Sequence, residues 1–293
     1  TMIVLPTGGG KTIVAAQLAR EMIEEQGVRR VLFLAHRDEL IFQTVEKMKL
    51  VLGEDADIGV VKAERNESSA KIVVASIQTV QNQKRFDQLG AFELVIADEA
   101  HHATAESWMK VLEWAGVFAE RGPWLFGMTA TPDRTDGVGL GKVFETIAYE
   151  VGIFDLIDQG YLVDIKAKEV LIDADFSRIR VTRGDFNAGD SGRVLMQSQA
   201  PAVIARAYKE HGQGRQALVF VPTVEMAYAT AEAMTTVGIP SKPLEANTPV
   251  EERRAMIAAM HAGTLKAICN VGVLTEGTDL PTVSAVVMAQ PTK

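Results

Sequence analysis

The residues Pro6-Thr7-Gly8-Gly9-Gly10-Lys11-Thr12 stand between a short apolar run and a helical pattern. Glycines let backbone N–H groups turn toward phosphate oxygens, and the start of a helix adds a favourable dipole. Lys11 would then hold the β- and γ-phosphates of ATP, and the Thr12 hydroxyl would help to bind Mg²⁺. The loop departs from the strict phosphate-loop spacing, which asks for glycine where this chain has Leu5. Far downstream, Asp98-Glu99-Ala100-His101 follows the apolar run Leu94-Val95-Ile96-Ala97. A carboxylate at the C-terminal end of a parallel strand points into the crevice where ligands bind. Asp98 is the candidate Mg²⁺ ligand, through water, and Glu99 the candidate base for an attacking water. Gly-Lys-Thr between a strand and a helix points to phosphate binding; a lone Asp-Glu is weak, and the pair indicates phosphoryl transfer. His101-His102 does not read as a metal site, because the side chains of neighbouring residues diverge and the chain has only 5 histidines.

A parallel α/β sheet must carry these residues. Runs at 2–5, 31–35, 72–75, 94–97 and 125–128 are apolar on both faces, as buried parallel strands are. Amphipathic stretches at 12–25, 39–52 and 105–114 alternate with them, so the expected fold is doubly wound α/β. Residues 150–164 read as a helix and a connector, and 165–192 as an irregular linker. A second alternating block follows, with helices at 201–211, 224–237 and 249–261 and strands at 217–221, 266–269 and 284–288. The expected organisation is a first domain at 1–150, a connector at 151–197 and a second domain at 198–293. The length agrees, at roughly 150 residues per domain. The first strand begins at residue 2 and the last run ends close to Lys293, so a piece of a longer reading frame is expected, with its second domain truncated.

Composition narrows the class. Apolar residues make up 47% and charged residues 23%, as in a globular protein, with no apolar run long enough for a bilayer span. One cysteine, no visible signal peptide and no expected membrane partner point to a cytoplasmic protein. Cys269 lies in an apolar run and reads as an inert core residue. The net charge of −8 argues against a protein that coats nucleic acid, but not against a motor whose strand contacts are confined to one face. Arg178, Arg180 and Arg183, with Phe176 and Phe186 nearby, could grip a single strand. Asp173, Asp175, Asp185 and Asp190 surround them, so a solvated linker with local ion pairs is preferred.

Beyond the phosphate loop and Asp98–His101, the chain resembles the DEAH-box branch of superfamily 2 helicases along nearly its whole length. The nearest likeness is to bacterial and phage repair-type helicases and to the motor subunits of type I and type III restriction enzymes. Phe33-Leu34-Ala35-His36-Arg37 resembles motif Ia, and Ser76-Ile77-Gln78-Thr79-Val80 the next strand-contacting motif. Met128-Thr129-Ala130-Thr131-Pro132 resembles motif III, and Val219-Phe220-Val221-Pro222-Thr223 motif IV. Leu274-Thr275-Glu276-Gly277-Thr278-Asp279-Leu280-Pro281 resembles motif V, and the residues from Asp155 to Leu162 the connector.

The resemblance implies two RecA-like parallel-sheet domains that hydrolyse ATP with Mg²⁺ and move along nucleic acid, DNA in preference to RNA. It casts Pro6 to Thr12, Gly277 and Asp279 as nucleotide contacts, and Lys11, Asp98, Glu99 and His101 as catalytic residues. Arg37, Gln78, Thr79, Thr223 and Thr275 become strand contacts. Thr129 and Thr131 couple the two functions. Local alternatives stand beside these roles: Arg37 pairing with Asp38 or Glu39, Gln78 and Thr79 capping a helix, Thr129 and Thr131 shaping a turn, and Gly277 and Asp279 forming a turn.

Family members carry a Gln-x-x-Gly-Arg-x-x-Arg motif after the last strand seen here, and this sequence does not contain it. Its arginines stabilise charge on the γ-phosphate, so the chain by itself is expected to bind ATP and hydrolyse it poorly. The adenine-reading glutamine upstream of the loop is also absent. Rival readings are a restriction motor subunit that pumps duplex DNA without separating it, a non-hydrolysing nucleic-acid-binding fragment, and a small-molecule kinase. The oligomeric state is unspecified.

Overall fold

A computed structural model of the chain describes residues 1–35, 38–131, 139–177, 179–182, 184–274 and 280–291. It divides into two compact units, Thr1–Ile165 and Lys166–Lys293. Among the described residues no helix is long and apolar enough to cross a membrane.

The first unit runs β1 (Met2–Val4), α1 (Lys11–Glu24), β2 (Val31–Ala35), α2 (Asp38–Leu52), β3 (Ile58–Lys62), β4 (Arg65–Asn66), β5 (Ile72–Ser76), α3 (Ile77–Val80) and α4 (Gln83–Phe86). It continues with β6 (Leu94–Asp98), α5 (Glu106–Trp114), β7 (Trp124–Thr129), β8 (Ile147–Glu150) and α6 (Ile153–Asp158). Its eight-stranded sheet has the order β4-β3-β5-β2-β6-β7-β1-β8, and every pairing is parallel except β3 with β4.

Alternate residues of the central strands leave on opposite faces, and both faces are covered. Leu32, Leu34, Val73, Ala75, Val95 and Ala97 join Trp108, Val111 and Leu112 of α5 in one apolar layer. Val31, Phe33, Val74 and Ile96 join Ala15, Ala16 and Ala19 of α1 and Ile41 and Met48 of α2 in the other. Strands buried on both sides need continuous apolar runs, which is why they stand out in the sequence.

The second unit runs β9 (Val181–Thr182), β10 (Asp185–Phe186), α7 (Ala188–Gln197), α8 (Ala200–His211), β11 (Gln216–Phe220) and α9 (Val224–Thr236). It continues with β12 (Ser241–Leu244), α10 (Val250–His261), β13 (Ala267–Asn270) and β14 (Val283–Met288). Its main sheet is parallel, in the order β12-β13-β11-β14. Tyr208, Met226 and Met234 pack one face of it, and Met256 and Met260 the other. The architecture is α/β in both units.

Several elements differ from the sequence expectation. The stretch read as irregular holds the β9–β10 hairpin and the start of α7. The buried side of α7 is Asp190, Ser191, Gly192 and Leu195, mostly small or polar residues. Asn187 caps the helix, accepting a hydrogen bond from the Asp190 N–H at 3.1 Å. Arg180 donates to both carboxylate oxygens of Asp190, at 2.7 and 3.1 Å, a local ion pair of the kind preferred above. Arg178 and Arg183 lie outside the described residues. Strands β3 and β4 had no counterpart in the sequence reading, and nor did β8 and β12. The last two are edge strands, and β12 contains Pro243, which a sheet tolerates at its edge.

Candidate active site

The C-terminal ends of β6, β7 and β1 are neighbours in the first sheet, with Asp98 beside Met128 and Val4 beside Thr129. The chain leaves β1 into the phosphate loop. The Gly9 N–H donates to the Pro6 carbonyl at 2.9 Å and closes the turn. Gly10 sits at the N-cap of α1 with φ 84°, a left-handed conformation that glycine adopts without strain. A Cβ built on Gly10 would meet nothing, whereas one on Gly9 would lie 2.9 Å from the Pro6 carbonyl oxygen. The first turn of α1 holds no acidic residue, so its unpaired N–H groups and dipole favour an anion. Lys11 Nζ donates to the Leu5 carbonyl at 3.3 Å, which keeps the ammonium at the loop, and Thr12 follows it in α1. Leu156 and Leu162, from the connector after β8, stand 3.2 Å from the Cβ positions of Gly9 and Gly8. They back the loop, a role that sequence reasoning did not assign.

Asp98 ends β6 and is only 8% exposed. Its carboxyl is pushed up to about 6, first by burial and then by the neighbouring Glu99 charge; Lys11 and Lys47 act in the opposite direction. A buried carboxylate beside a second carboxylate is stabilised by a cation. Mg²⁺ is commonly held by one or two carboxylates with phosphates and waters, so Asp98 and Thr12 fit it. The Glu99 N–H donates to Asp98 Oδ1 at 3.0 Å.

Glu99 has φ 51° and ψ 50°, the left-handed region, and leads into a single tight turn at Ala100–His102. A non-glycine residue there stores about 1–3 kcal/mol of strain and is characteristic of functional sites. Its carboxylate Oε2 is 3.3 Å from His101 Nδ1. The same nitrogen is 3.1 Å from the hydroxyl of Thr129, which is fully buried at the end of β7. That hydroxyl donates to the Thr131 carbonyl at 3.0 Å and accepts from the Thr131 N–H at 3.1 Å. The His101 Nδ1 to Thr129 Oγ1 hydrogen bond takes its direction from the imidazole tautomer. Glu99, His101, Thr129 and the Thr131 backbone form one connected network across two strand ends.

The remaining candidates divide. Gln78 is exposed on α3, and its Oε1 accepts from Ser76 Oγ at 2.8 Å. Thr79 Oγ1 accepts from the Ala63 N–H at 2.9 Å, so it caps the turn after β3 instead of its own helix. Thr223 is the N-cap of α9 and accepts from the Met226 N–H at 3.3 Å. Arg37, Thr275, Gly277 and Asp279 lie outside the described residues. Cys269 is buried and its thiol is pushed up to about 12 by that burial, which makes it unreactive.

Comparison with known proteins gives the same picture. A family profile described as "Type III restriction enzyme, res subunit" matches residues 1–134. A second, "Helicase conserved C-terminal domain", matches residues 199–293. IRC3 of Saccharomyces cerevisiae, whose name describes an ATP-dependent helicase, is 28% identical over 299 residues, covering 99% of this chain and 43% of that protein. The Escherichia coli type I restriction enzyme EcoAI endonuclease subunit is 26% identical over 231 residues, covering 72% of this chain and 28% of that one. This chain therefore spans less than half the length of either relative. Among solved structures, a fragment described as an HsdR subunit of a type I restriction enzyme from Vibrio vulnificus YJ016 superposes with a TM-score of 0.71 at 20% identity, covering 100% of this chain and 54% of that one. The fold shared with such structures is a pair of RecA-like units. The phosphate loop, the Asp98–His101 motif, both family profiles and this fold agree, and together they are consistent with a superfamily 2 helicase.

Proposed function

We propose that this chain is the motor core of an ATP-dependent helicase or translocase that works on DNA. The observation that carries the reading is the joining of Glu99, His101 and Thr129 beside a phosphate loop whose helix start is open. Lys11 and the N–H groups at the start of α1 bind the β- and γ-phosphates of ATP. Thr12 and Asp98 hold Mg²⁺, which supplies neutralisation of charge on the phosphate oxygens. Glu99 orients water in line with the γ-phosphorus and accepts its proton as the P–O bond to the leaving ADP breaks. His101 keeps the Glu99 carboxylate in place, and Thr129 transmits a change there to the end of β7. Gly277 and Asp279 complete the nucleotide contacts, and Arg37, Gln78, Thr79, Thr223 and Thr275 contact strand phosphates. Phosphate contacts position the strand without reading its sequence.

The test is steady-state ATP hydrolysis by the full-length protein with single-stranded DNA, duplex DNA or RNA. Stimulation by DNA that is lost in Lys11→Ala is expected. Hydrolysis unaffected by Lys11→Ala would sink the assignment, and stimulation by RNA alone would sink the choice of DNA. The res-subunit match over residues 1–134 also favours duplex pumping without strand separation as a second reading. Displacement of a third strand from a triplex, without separation of a duplex, is its signature.

A further inference from the structure

The C-terminal edge of the first sheet divides into two halves. The phosphate loop and Asp98–His101 occupy the ends of β1 and β6, while the strand contacts proposed above follow the ends of β2 and β5. The next strand outward is β3, and its end is level with theirs: Ala35 pairs with Ser76, and Val61 with Ala75. Beyond Val61 come Lys62, Ala63, Glu64 and Arg65. Ala63 turns the chain with φ 46°, a strained value for a residue other than glycine.

That turn is held from the strand-contact side. Thr79 Oγ1 accepts from the Ala63 N–H, and Arg85 donates to the carbonyls of Ala63 and Arg65 at 2.8 and 3.1 Å. Over the turn lies Phe42 of α2, 46% exposed. Lys62 Nζ is 5.4 Å and Arg65 Cζ 5.6 Å from the centre of its ring. Arg65 also pairs with Glu67 at 2.8 Å, and Glu67 accepts from the Val60 N–H at 2.8 Å, which fixes the guanidinium beside the ring. An exposed aromatic ring flanked by cations is the chemistry that grips single strands: bases stack on the ring, and phosphates meet the cations.

We propose that Phe42, Lys62 and Arg65 form a further single-strand nucleic-acid subsite that extends the track past Gln78 and Thr79. Phe42 stacks on a base, and Lys62 and Arg65 contact the flanking phosphates. The inference rests on the proposed motor function, and it adds one binding position to it.

The experiment is fluorescence anisotropy of labelled oligodeoxythymidylate, and of an abasic oligomer of equal length, with the full-length protein across a salt series. Phe42→Leu keeps apolar bulk and removes the ring. It should weaken binding to oligodeoxythymidylate by about fivefold or more and leave the abasic oligomer unaffected. Lys62→Ala with Arg65→Ala should weaken both oligomers and lower the dependence of log K on log salt by about 0.7 per cation. Unchanged thermal unfolding shows that each variant is folded. If the unsubstituted protein binds and these variants match it in affinity and salt slope, the subsite is wrong while the motor reading stands. If the unsubstituted protein binds neither DNA nor an RNA oligomer, both fall. Equal losses on the two oligomers for Phe42→Leu would overturn the stacking role.

Discussion

His101 Nδ1 lies 3.1 Å from the Thr129 hydroxyl and 3.3 Å from Glu99 Oε2, so one imidazole ring ties the end of β6 to the end of β7. The three groups are brought together by pairing of the two strands, with Asp98 beside Met128. In the proposed motor this is the route by which movement of the Glu99 carboxylate reaches Thr129 and the Thr131 backbone, with which Thr129 exchanges two hydrogen bonds.

Thr129→Val nearly preserves shape and deletes the hydroxyl. The Thr131 N–H and His101 Nδ1 each lose a partner. Thr131 is exposed and His101 keeps Glu99 as a partner, so the loss costs about 0.5–1.5 kcal/mol, which urea denaturation will read as a lower midpoint with an unchanged slope. DNA-stimulated ATP turnover should fall more than nucleotide affinity does. A variant as stable and as active as the parent would show that the network is incidental.

Glu99→Gln keeps size and hydrogen bonding but cannot take a proton from water. Turnover should drop roughly a hundredfold or more, the usual contribution of a positioned base. Binding of a fluorescent ATP analogue should persist, because Lys11 and the start of α1 are untouched. Parallel loss of binding and turnover would place Glu99 in nucleotide capture instead.

Gly127 is buried in β7 against the turn that carries His101. A Cβ there would sit 2.5 Å from the Phe144 ring and 3.0 Å from Ala100 Cβ. Gly127→Ala should cost about 1–3 kcal/mol through overpacking. Because Ala100 precedes His101, turnover should fall as well. Phe144→Leu in the same background should restore part of both, and failure to restore either would point to a backbone cause.

Asp190 is held below the usual carboxylate range, first by its hydrogen bonds from Arg180. A carboxyl depressed in the folded state adds stability above its unfolded pKa and loses it as pH falls through the folded one. The second unit should therefore weaken as acid passes below the ordinary aspartate range. Asp190→Asn should flatten that part of the curve of unfolding temperature against pH. An acid limb of equal steepness in the variant would mean that other carboxylates control it.

What the amino-acid sequence determined by itself was local and periodic. Strands β2, β5 and β6 are buried on both faces, so their apolar runs are continuous and mark them almost to the residue. The glycine loop and the Asp98–His101 group are contiguous in the chain, so their spacing and flanking elements suffice to suggest phosphate chemistry. Tertiary structure decided what depends on partners distant along the chain. Edge strand β8 is exposed along its whole length and β12 is only partly buried, so both leave little pattern, and α7 buries small and polar residues. The left-handed Glu99, the support of the loop by Leu156 and Leu162, and the capture of the Ala63 turn by Thr79 arise only when separate segments meet. Residue type and spacing specify which chemistry is available. Sheet order determines which groups share an edge, because the pairing of strands far apart in sequence leaves no local signature.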